Sequence, residues 1–284
     1  MFTRILICLF IFQFLYFDSN SQVLRKAPSE GELFVIKNEK LGEKDYKFVN
    51  INGVTWLAED LQTKTFNNGE LIFHAKSEKD WDEAGRSKIP AWRFQDYDPA
   101  NAQNYGYEYN WYAVVDSRGI VPEGYRIPSR DDYRDLIKFL GGWNLAGFKL
   151  KNKTGWADYC TGGIQKTTCS NCSSWSSEYK RKVPCHICKD TRIVETKTPK
   201  VNHSGNGSNS SGFSAKPGQY GIYNCSPSKT TKNYLGEAAF WTRTIDEVLS
   251  RFNAYYFSIH NTNNVYFESG DKTRGFKIRC YFGG

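Results

Sequence analysis

Long apolar runs, aliphatic side chains and methionine are scarce in this sequence of 284 residues. Leu, Ile, Val and Phe together make up about 22% of the chain, Met occurs once, and the mean hydropathy is −0.61. This composition argues against a helical bundle, a coiled coil and a membrane barrel. Aromatic residues are abundant instead, with 8 Trp, 18 Tyr and 19 Phe, and large rings build a core from few side chains. Together with 24 glycines, they predict many short strands and turns in one or two domains.

The longest largely apolar run, residues 5–17, is too short to span a bilayer comfortably. It follows the positive charge of Arg4 and precedes a short polar segment of small residues, residues 18–21. This is the pattern of a secretory signal peptide. We therefore expect residues 1–21 to be a cleaved signal peptide, residues 22–45 to form an N-terminal segment, and the protein to be secreted or held at the cell surface without a membrane span. A lipoprotein is the alternative, but it needs a cysteine at the cut, and Cys8 lies inside the apolar run.

Histidines are also few, and no catalytic arrangement is recognisable among them. The four are His74, His186, His203 and His260. None has an obvious Ser or Cys partner, and the sequence contains no Gly-x-Ser-x-Gly, no His-Glu-x-x-His and no phosphate-binding glycine loop. A general base or an activated nucleophile is therefore not identified. The sequence favours a protein without catalytic activity, and an enzyme of unrecognised chemistry is the alternative.

Four cysteines form two pairs with the spacing of a zinc site. They follow the pattern Cys169-x2-Cys172-x12-Cys185-x2-Cys188, in which each pair can offer two thiolates to one tetrahedral ion. The sequence therefore predicts a zinc ion that is structural, because four cysteine ligands leave no position for water. Two disulfides and a redox-active Cys-x2-Cys are the alternatives, and His186 is an alternative ligand.

The other cysteines and the polar sequence around the two pairs indicate an insert at residues 159–211. It would consist of the cysteine lobe and a Gly/Ser/Asn tether at residues 202–212, which we expect to be flexible. A disulfide between Cys160 and Cys225 would close the base of the insert. A Cys225–Cys280 disulfide is the alternative.

The basic character of the chain is compatible with an acidic partner such as a nucleic acid. The formal net charge is +8, which allows binding to acidic polymers without requiring it. The patch Lys180-Arg181-Lys182 lies between the cysteine pairs and could contact phosphate. Nucleic-acid binding through the two cysteine pairs, Cys169/Cys172 and Cys185/Cys188, is thus an alternative function, but the predicted signal peptide argues against it.

Outside the insert, the sequence predicts several strands. Residues 46–51 alternate in polarity, Asn52-Gly53 is a strong signal for a two-residue turn, and residues 54–57 would form the second strand of a hairpin. Further strands are predicted over residues 254–259, 265–268 and 275–282, with a polar turn at residues 260–264.

The clearest helix is predicted over residues 130–140. Ser129 is its N-cap, Asp132 completes a box-like arrangement, apolar residues recur at helical spacing, and Gly141 ends it. A second, weaker helix is predicted over residues 107–115.

A series of short sequence blocks extends through most of residues 46–282. The blocks include Tyr46-x-x-Val49-x-Ile51-x-Gly53-x-x-Trp56-Leu57-Ala58-Glu59, Tyr109-Asn110-Trp111-Tyr112-Ala113-Val114, Pro122-Glu123-Gly124-Tyr125-Arg126-Ile127-Pro128, Ser211-Gly212-Phe213-Ser214-Ala215 and Gly275-Phe276-x-Ile278-Arg279-Cys280. Their order resembles the Fibrobacter succinogenes major paralogous domain family of bacterial secreted and surface proteins. The resemblance implies an α+β, C-type-lectin-like domain, related to the formylglycine-generating-enzyme fold, with short helices and a twisted antiparallel sheet at residues 46–282, interrupted by the insert.

The resemblance implies little about activity, and the chain departs from the family pattern at two positions. Val121 stands where the family often has Cys, so Cys280 would lack its usual partner, and Asp60 stands where the family usually has Asn.

Aromatic residues give the best sequence indication of a ligand site. Trp92, Tyr97 and Trp111 lie in a stretch with more rings than one short helix needs, and rings among polar neighbours can stack on sugars or hold peptide. We therefore predict an exported binding module that recognises a surface glycan or protein. Asp96 and Asp98 could offer oxygen ligands to calcium, although Asp98-Pro99 is also typical of a turn.

Overall fold

A computed structural model gives the fold of the chain. It describes residues 15–16, 25–26, 33–36, 44–168, 175–176, 181–182, 193–218, 236–249 and 251–283. The predicted features that lie outside these residues are most of the signal peptide, His186, Cys169, Cys172, Cys185, Cys188 and Cys225.

The described residues contain many short strands. In chain order they are β1 (Leu15–Tyr16), β2 (Arg25–Lys26), β3 (Leu33–Ile36), β4 (Tyr46–Ile51), β5 (Val54–Leu57), β6 (Phe73–His74), β7 (Ala91–Phe94), β8 (Tyr107–Tyr109), β9 (Tyr125–Arg126), β10 (Tyr159–Thr168), β11 (Trp175–Ser176), β12 (Arg181–Lys182), β13 (Ile193–His203), β14 (Glu237–Ile245), β15 (Asn253–His260), β16 (Val265–Asp271) and β17 (Tyr281–Phe282).

Helices are short and few among the described residues. They are α1 (Glu78–Arg86), α2 (Ala102–Tyr105), α3 (Trp111–Val114), α4 (Arg130–Phe139) and α5 (Ala146–Leu150).

Three sheets form the body of the domain. One has the strand order β3-β4-β5-β17-β9, the second is β14-β15-β16, and the third is β6-β7-β8. Pairing in these sheets is antiparallel except between β6 and β7. The described residues thus form an α+β domain with short helices and antiparallel sheets, which confirms the predicted fold class at this level. Strand β3 joins the first sheet, so that sheet begins within the segment predicted to precede the domain.

The first predicted hairpin is confirmed residue by residue. Strands β4 and β5 have the predicted bounds, and Val49 pairs with Trp56. Asn52 and Gly53 both have positive φ, at 56° and 74°, as a two-residue turn of this kind requires. The local sequence therefore suffices to predict the register of this hairpin.

The predicted long helix is confirmed as α4. Ser129 Oγ accepts a hydrogen bond from Asp132 N, and Asp132 Oδ2 accepts one from Ser129 N, which forms a complete capping box. Gly141, with φ of 99°, follows the last turn, where its N–H donates to Lys138 O. Leu140 is the C-cap and is buried.

Two core clusters lie on opposite faces of the central hairpins. The first cluster includes Phe48, Leu57, Leu61, Trp92, Tyr109, Trp111, Trp241, Tyr256, Ile278 and Cys280. The second includes Val49, Trp56, Tyr133, Leu136, Ile137, Phe213, Phe240, Phe257 and Ile259. Because side chains alternate along a strand, β4–β5 and β14–β15 each contribute to both clusters. The aromatic residues build the core, as the composition predicts.

Two predicted elements are partly wrong. The helix predicted over residues 107–115 is a strand, β8, followed by the single turn α3, because β8 pairs with β7 and Asn110 caps a new helix. The strand predicted over residues 275–282 is regular only in β17, and Phe276 and Lys277 form isolated bridges to Tyr109 and Phe240.

The predicted insert begins in a two-stranded arm that ends at residue 203. Strands β10 and β13 pair antiparallel from Tyr159 with His203 to Thr168 with Ile193, with a bulge near Gly163. Cys160 lies in β10, opposite Asn202. His203, which the sequence places in the tether, is therefore the last residue of a strand.

The prediction of a flexible tether is wrong for residues 204–212. Gly207 N donates to Asn152 O at 3.0 Å, and Ser208 N donates to Phe148 O at 2.8 Å. Gly205 is buried, and its carbonyl accepts from Lys151. Glycine permits these close approaches, because a Cβ at position 207 would lie 2.5 Å from that of Lys151. The segment is therefore packed against the domain.

Candidate functional site

A charged pair on the third sheet forms one wall of a cleft. Arg93 of β7 and Glu108 of β8 are cross-strand neighbours, and the Arg93 Nε and Nη2 atoms each lie 2.9 Å from Glu108 Oε2. The guanidinium also lies over the ring of Trp81, 4.4 Å from its centroid. Although burial lowers the pKa of Arg93, Glu108 and the hydroxyl of Tyr97 raise it, so the side chain stays charged.

The cleft has a volume of about 330 Å³ and is open to solvent. The opposite wall comes from the second sheet and from the segment before β17. Its lining residues are Trp81, Arg93, Glu108, Gly218, Glu237, Ala239, Tyr256, Arg274, Gly275, Phe276 and Lys277. Rings and charged groups of both signs thus face one space, which suits a polar ligand with hydroxyl groups.

One lining residue of the cleft, Lys277, belongs to a buried charge network. Lys277 Nζ lies 3.2 Å from Asp60 Oδ2, and Arg279 Nε lies 2.8 Å from Asp60 Oδ1. Burial raises the pKa of Asp60, but the two cations outweigh it and hold that pKa below its ordinary value. Lys277 also donates to Lys216 O at 3.1 Å. The network fixes the position of the lining residue Lys277.

Three polar side chains converge on the second sheet beside the cleft. One ligand atom each of Glu237, His260 and Glu268 lies within 4.8 Å of the others. The three residues come from β14, β15 and β16. Burial, and then the charge of Glu268, raises the pKa of Glu237 to about 7. Near neutral pH this carboxyl group is therefore only partly ionised.

A serine contacts the histidine of this group. Ser258 Oγ lies 3.3 Å from His260 Nε2, a pairing that the sequence did not reveal, although both residues lie on one face of β15. Ser258 is fully buried, so its hydroxyl is out of reach of a substrate. The contact positions the imidazole and does not form an accessible nucleophile.

The structure does not bring the three predicted ligand-binding rings together around a pocket. Trp92 is 3% exposed, and its ring lies between His74 and Tyr107, with centroid distances of 3.9 Å and 4.4 Å. Both faces of this indole are therefore covered. Trp111 is 5% exposed and donates from Nε1 to a backbone carbonyl. This placement does not favour a stacking role for either tryptophan.

Tyr97, the third of these rings, lies beside the cleft. Its hydroxyl accepts a hydrogen bond of 2.8 Å from Arg93, which is a lining residue. His74, one of the four histidines, is half-buried against Trp92.

The two candidate calcium ligands have separate local roles. Asp98 accepts a hydrogen bond from Ala100 N at 2.9 Å, which is the turn that the sequence offered as an alternative. Asp96 lies within a short turn with φ of 56°. Among the described residues, neither belongs to a group of three potential metal ligands.

Cys280 is a buried free cysteine in the first core cluster. Burial raises the pKa of its thiol to about 12, so it remains protonated. Cys160 and Cys225 stay a predicted disulfide, since neither side chain is described.

Sequence reasoning missed the residues that line the cleft. Arg93 and Glu108 are cross-strand neighbours only once β7 and β8 are recognised as strands. Glu237 and Arg274 come from segments more than 100 residues further along the chain. No short motif joins them, and none of the four lies on a strand that the sequence predicts.

The fold and the cleft define an α+β domain in which short strands and turns hold a polar, solvent-open site. The family model of the Fibrobacter succinogenes major domain matches residues 49–281. The chain belongs to this family, which confirms the resemblance seen in its sequence blocks. Neither a curated protein nor a solved structure matches the chain, so the relationship to C-type-lectin-like domains stays a prediction. Among the described residues, no helix has the length and apolar character needed to cross a bilayer.

Proposed function

We propose that the protein is an exported, non-catalytic binding module that holds a segment of a surface glycan in its cleft. The main observation in support of this proposal is the cleft of about 330 Å³, which has charged groups of both signs and aromatic rings along its walls. Sugar hydroxyls both donate and accept hydrogen bonds, so they can pair with arginine and carboxylate groups together. A protein segment is the competing ligand.

The arrangement of Arg93 and Glu108 supports binding more than catalysis. Their two contacts of 2.9 Å and the ring of Trp81 hold the guanidinium in one orientation before a ligand arrives. A preorganised wall loses little side-chain entropy on binding. Arg274, by contrast, is exposed and can adapt to a ligand at the mouth of the cleft.

The test is a glycan array probed with the mature protein, followed by titration of the best binders. Arg274→Ala should weaken binding by about 10- to 100-fold, because hydrogen bonds to charged groups contribute roughly 1.5–3 kcal/mol. The matched control is Arg86→Ala, an exposed arginine on α1 that does not line the cleft. Binding that Arg274→Ala leaves unchanged would refute the cleft as the site. Binding to peptide arrays alone would identify a protein ligand instead.

Export through a cleaved signal peptide is part of the same proposal. The apolar run at residues 5–17 with Arg4 before it supports this part. N-terminal sequencing of protein recovered from the exporting host should begin near Gln22. An intact Met1, or a lipid on a cysteine, would contradict it.

The cysteine lobe is proposed to hold a structural zinc ion on Cys169, Cys172, Cys185 and Cys188. The arm supports this, because pairing of Thr168 with Ile193 brings together the two ends of the segment that carries these cysteines. Metal analysis of native protein with a count of free thiols separates zinc from disulfides.

The C-type-lectin-like relationship is likewise proposed, with family membership and the α+β architecture in its support. An experimental structure that aligned with such domains over the first and second sheets would establish it. A topology unlike theirs would exclude it.

A further inference from the structure

The group formed by Glu237, His260 and Glu268 has the donor set of a metal site. Two carboxylates and one imidazole supply one ligand atom each, all within 4.8 Å of one another. They come from three adjacent strands of one antiparallel sheet, so the backbone ladder fixes their relative positions. The two carboxylates repel each other, and an ion bound by all three side chains would offset this repulsion.

A neighbouring side chain orients one of the three. Tyr256 donates its hydroxyl hydrogen to Glu268 Oε2 at 2.5 Å, and hydrogen bonds to a carboxylate ligand orient it in known metal sites. Ser258 Oγ lies 3.3 Å from His260 Nε2, the nitrogen that also faces Glu237 Oε1 at 3.9 Å, so a metal ion at Nε2 would replace this contact. Tyr256 and Ser258 lie on the same face of β15 as His260, in alternate positions.

The electrostatic balance also suits a cation. The two carboxylates carry like charges and offer oxygen atoms within 4.8 Å of each other, so a divalent ion between them would offset their mutual repulsion. Glu237 Oε1 also lies 3.9 Å from His260 Nε2, so the carboxylate and the imidazole face one another.

The group is accessible to an ion. Glu237 lines the cleft, and the side chains of Glu237 and His260 are 20% and 22% exposed. With three protein ligands, further coordination positions would face the cleft and could take water or a ligand oxygen.

We propose that Glu237, His260 and Glu268 bind a divalent transition-metal ion through one oxygen of each carboxylate and one imidazole nitrogen. Mixed nitrogen and oxygen donors suit manganese, iron or zinc, whereas calcium takes six to eight oxygens. This ion is distinct from zinc on the cysteine lobe. It can occupy the site whether or not the cleft holds a glycan, so failure of one proposal leaves the other standing.

Mn²⁺ is the probe of choice, because carboxylate and imidazole ligands accept it while thiolate sites select zinc. The full mature chain, stripped of metal, is titrated with MnCl₂ by calorimetry, and free Mn²⁺ is counted by electron paramagnetic resonance. We expect one ion per chain. Glu237→Gln and His260→Gln should each weaken binding by at least about 100-fold, since loss of an orienting neighbour alone weakens metal affinity by 10- to 100-fold.

Two further variants separate a metal site from a merely structural cluster. Tyr256→Phe keeps all three ligands and should weaken Mn²⁺ binding by about 10-fold. Glu247→Gln, which alters an exposed carboxylate on the loop after β14, is the matched control and should bind Mn²⁺ like the natural protein.

Glu237→Gln should unfold at no lower temperature than the metal-free natural protein, because it removes a repulsive charge. No Mn²⁺ binding by the natural protein, or binding that survives Glu237→Gln and His260→Gln, would overturn the proposal.

Discussion

Asp60 Oδ1 accepts a 2.8 Å hydrogen bond from Arg279 Nε across a sequence separation of 219 residues. Both side chains are buried, and the same carboxylate lies 3.2 Å from Lys277. The Arg279 guanidinium also donates to Leu57 O and Phe213 O, so this pair ties together three distant segments. The sequence marked Asp60 only as a departure from the family pattern, and the structure gives it a role.

We expect Asp60→Asn to destabilise the domain by about 3–5 kcal/mol. The substitution keeps the shape but leaves Lys277 and Arg279 as buried cations without a counter-charge. Urea unfolding measures the change. Asp45→Asn, an exposed carboxylate just before β4, is the control and should remain within about 0.5 kcal/mol of the natural protein. An equally small effect of Asp60→Asn would show that the network does not stabilise the fold.

A second prediction concerns pH and the buried amine of Lys151. Its Nζ donates to Gly205 O and Asn261 O, and burial lowers its pKa to about 7, below the ordinary value of 10.5. Above pH 7 the unfolded chain therefore binds one more proton than the folded chain at this site, so the free energy of unfolding should rise with pH.

Between pH 7 and 8.5 this contribution should approach about 1.4 kcal/mol per pH unit. Lys151→Met should lose it, which denaturant titrations at several pH values would show as a smaller slope. The same slope in both proteins would mean that Lys151 is not the group responsible. The upper limit of pH 8.5 keeps the measurement below pH 9, the ordinary pKa of a cysteine thiol, above which the unfolded chain loses the Cys280 proton that the folded chain keeps and stability falls.

The packed segment at residues 204–212 gives a third prediction. Gly207→Ala should destabilise the domain by about 1–3 kcal/mol, because the added methyl group would lie 2.5 Å from Lys151 Cβ and the carbonyl of the same residue. Thermal unfolding is the measurement. Ser210→Ala, on the exposed side of the same segment, should change little. If neither substitution lowered the unfolding temperature, residues 204–212 would be a flexible tether, as the sequence predicts.

A fourth prediction tests the cysteine lobe. Replacing Cys172 and Cys188 by Ser should remove about one zinc ion per chain and leave the main thermal transition almost unchanged, because the described residues outside the lobe form two aromatic-rich core clusters of their own. Cys280→Ser is the reciprocal control. It should lower the transition temperature, since it places a hydroxyl in the first core cluster, and leave the zinc content unchanged. Native protein without zinc and without free thiols in the lobe would contradict the zinc prediction.

Features specified by neighbouring residues could be predicted from the sequence. The turn at Asn52 and Gly53 and the capping box of Ser129 and Asp132 depend on backbone preferences within a few residues, and both are confirmed. The helix predicted over residues 107–115 is wrong in its first half because pairing with β7 outweighs the local pattern.

The cleft and the packed tether could not be predicted in the same way. A run of Gly, Ser and Asn is typical of flexible linkers, but the same small residues also allow close packing, and only partners such as Asn152 and Phe148 decide between the two. Likewise, Glu237 and Arg93 share a cleft only after two sheets have assembled. Residues that are distant in sequence carry no local signal of their proximity.

The position of β17 has a consequence for the timing of folding. This strand lies between β5 and β9, with Tyr281 paired to both Trp56 and Arg126. The first sheet therefore cannot be completed until residues 281–282 have been synthesised, and until then β5 and β9 each lack this neighbour. A chain in that state has unpaired strand edges with which other chains can pair, so the risk of aggregation falls once β17 has been added.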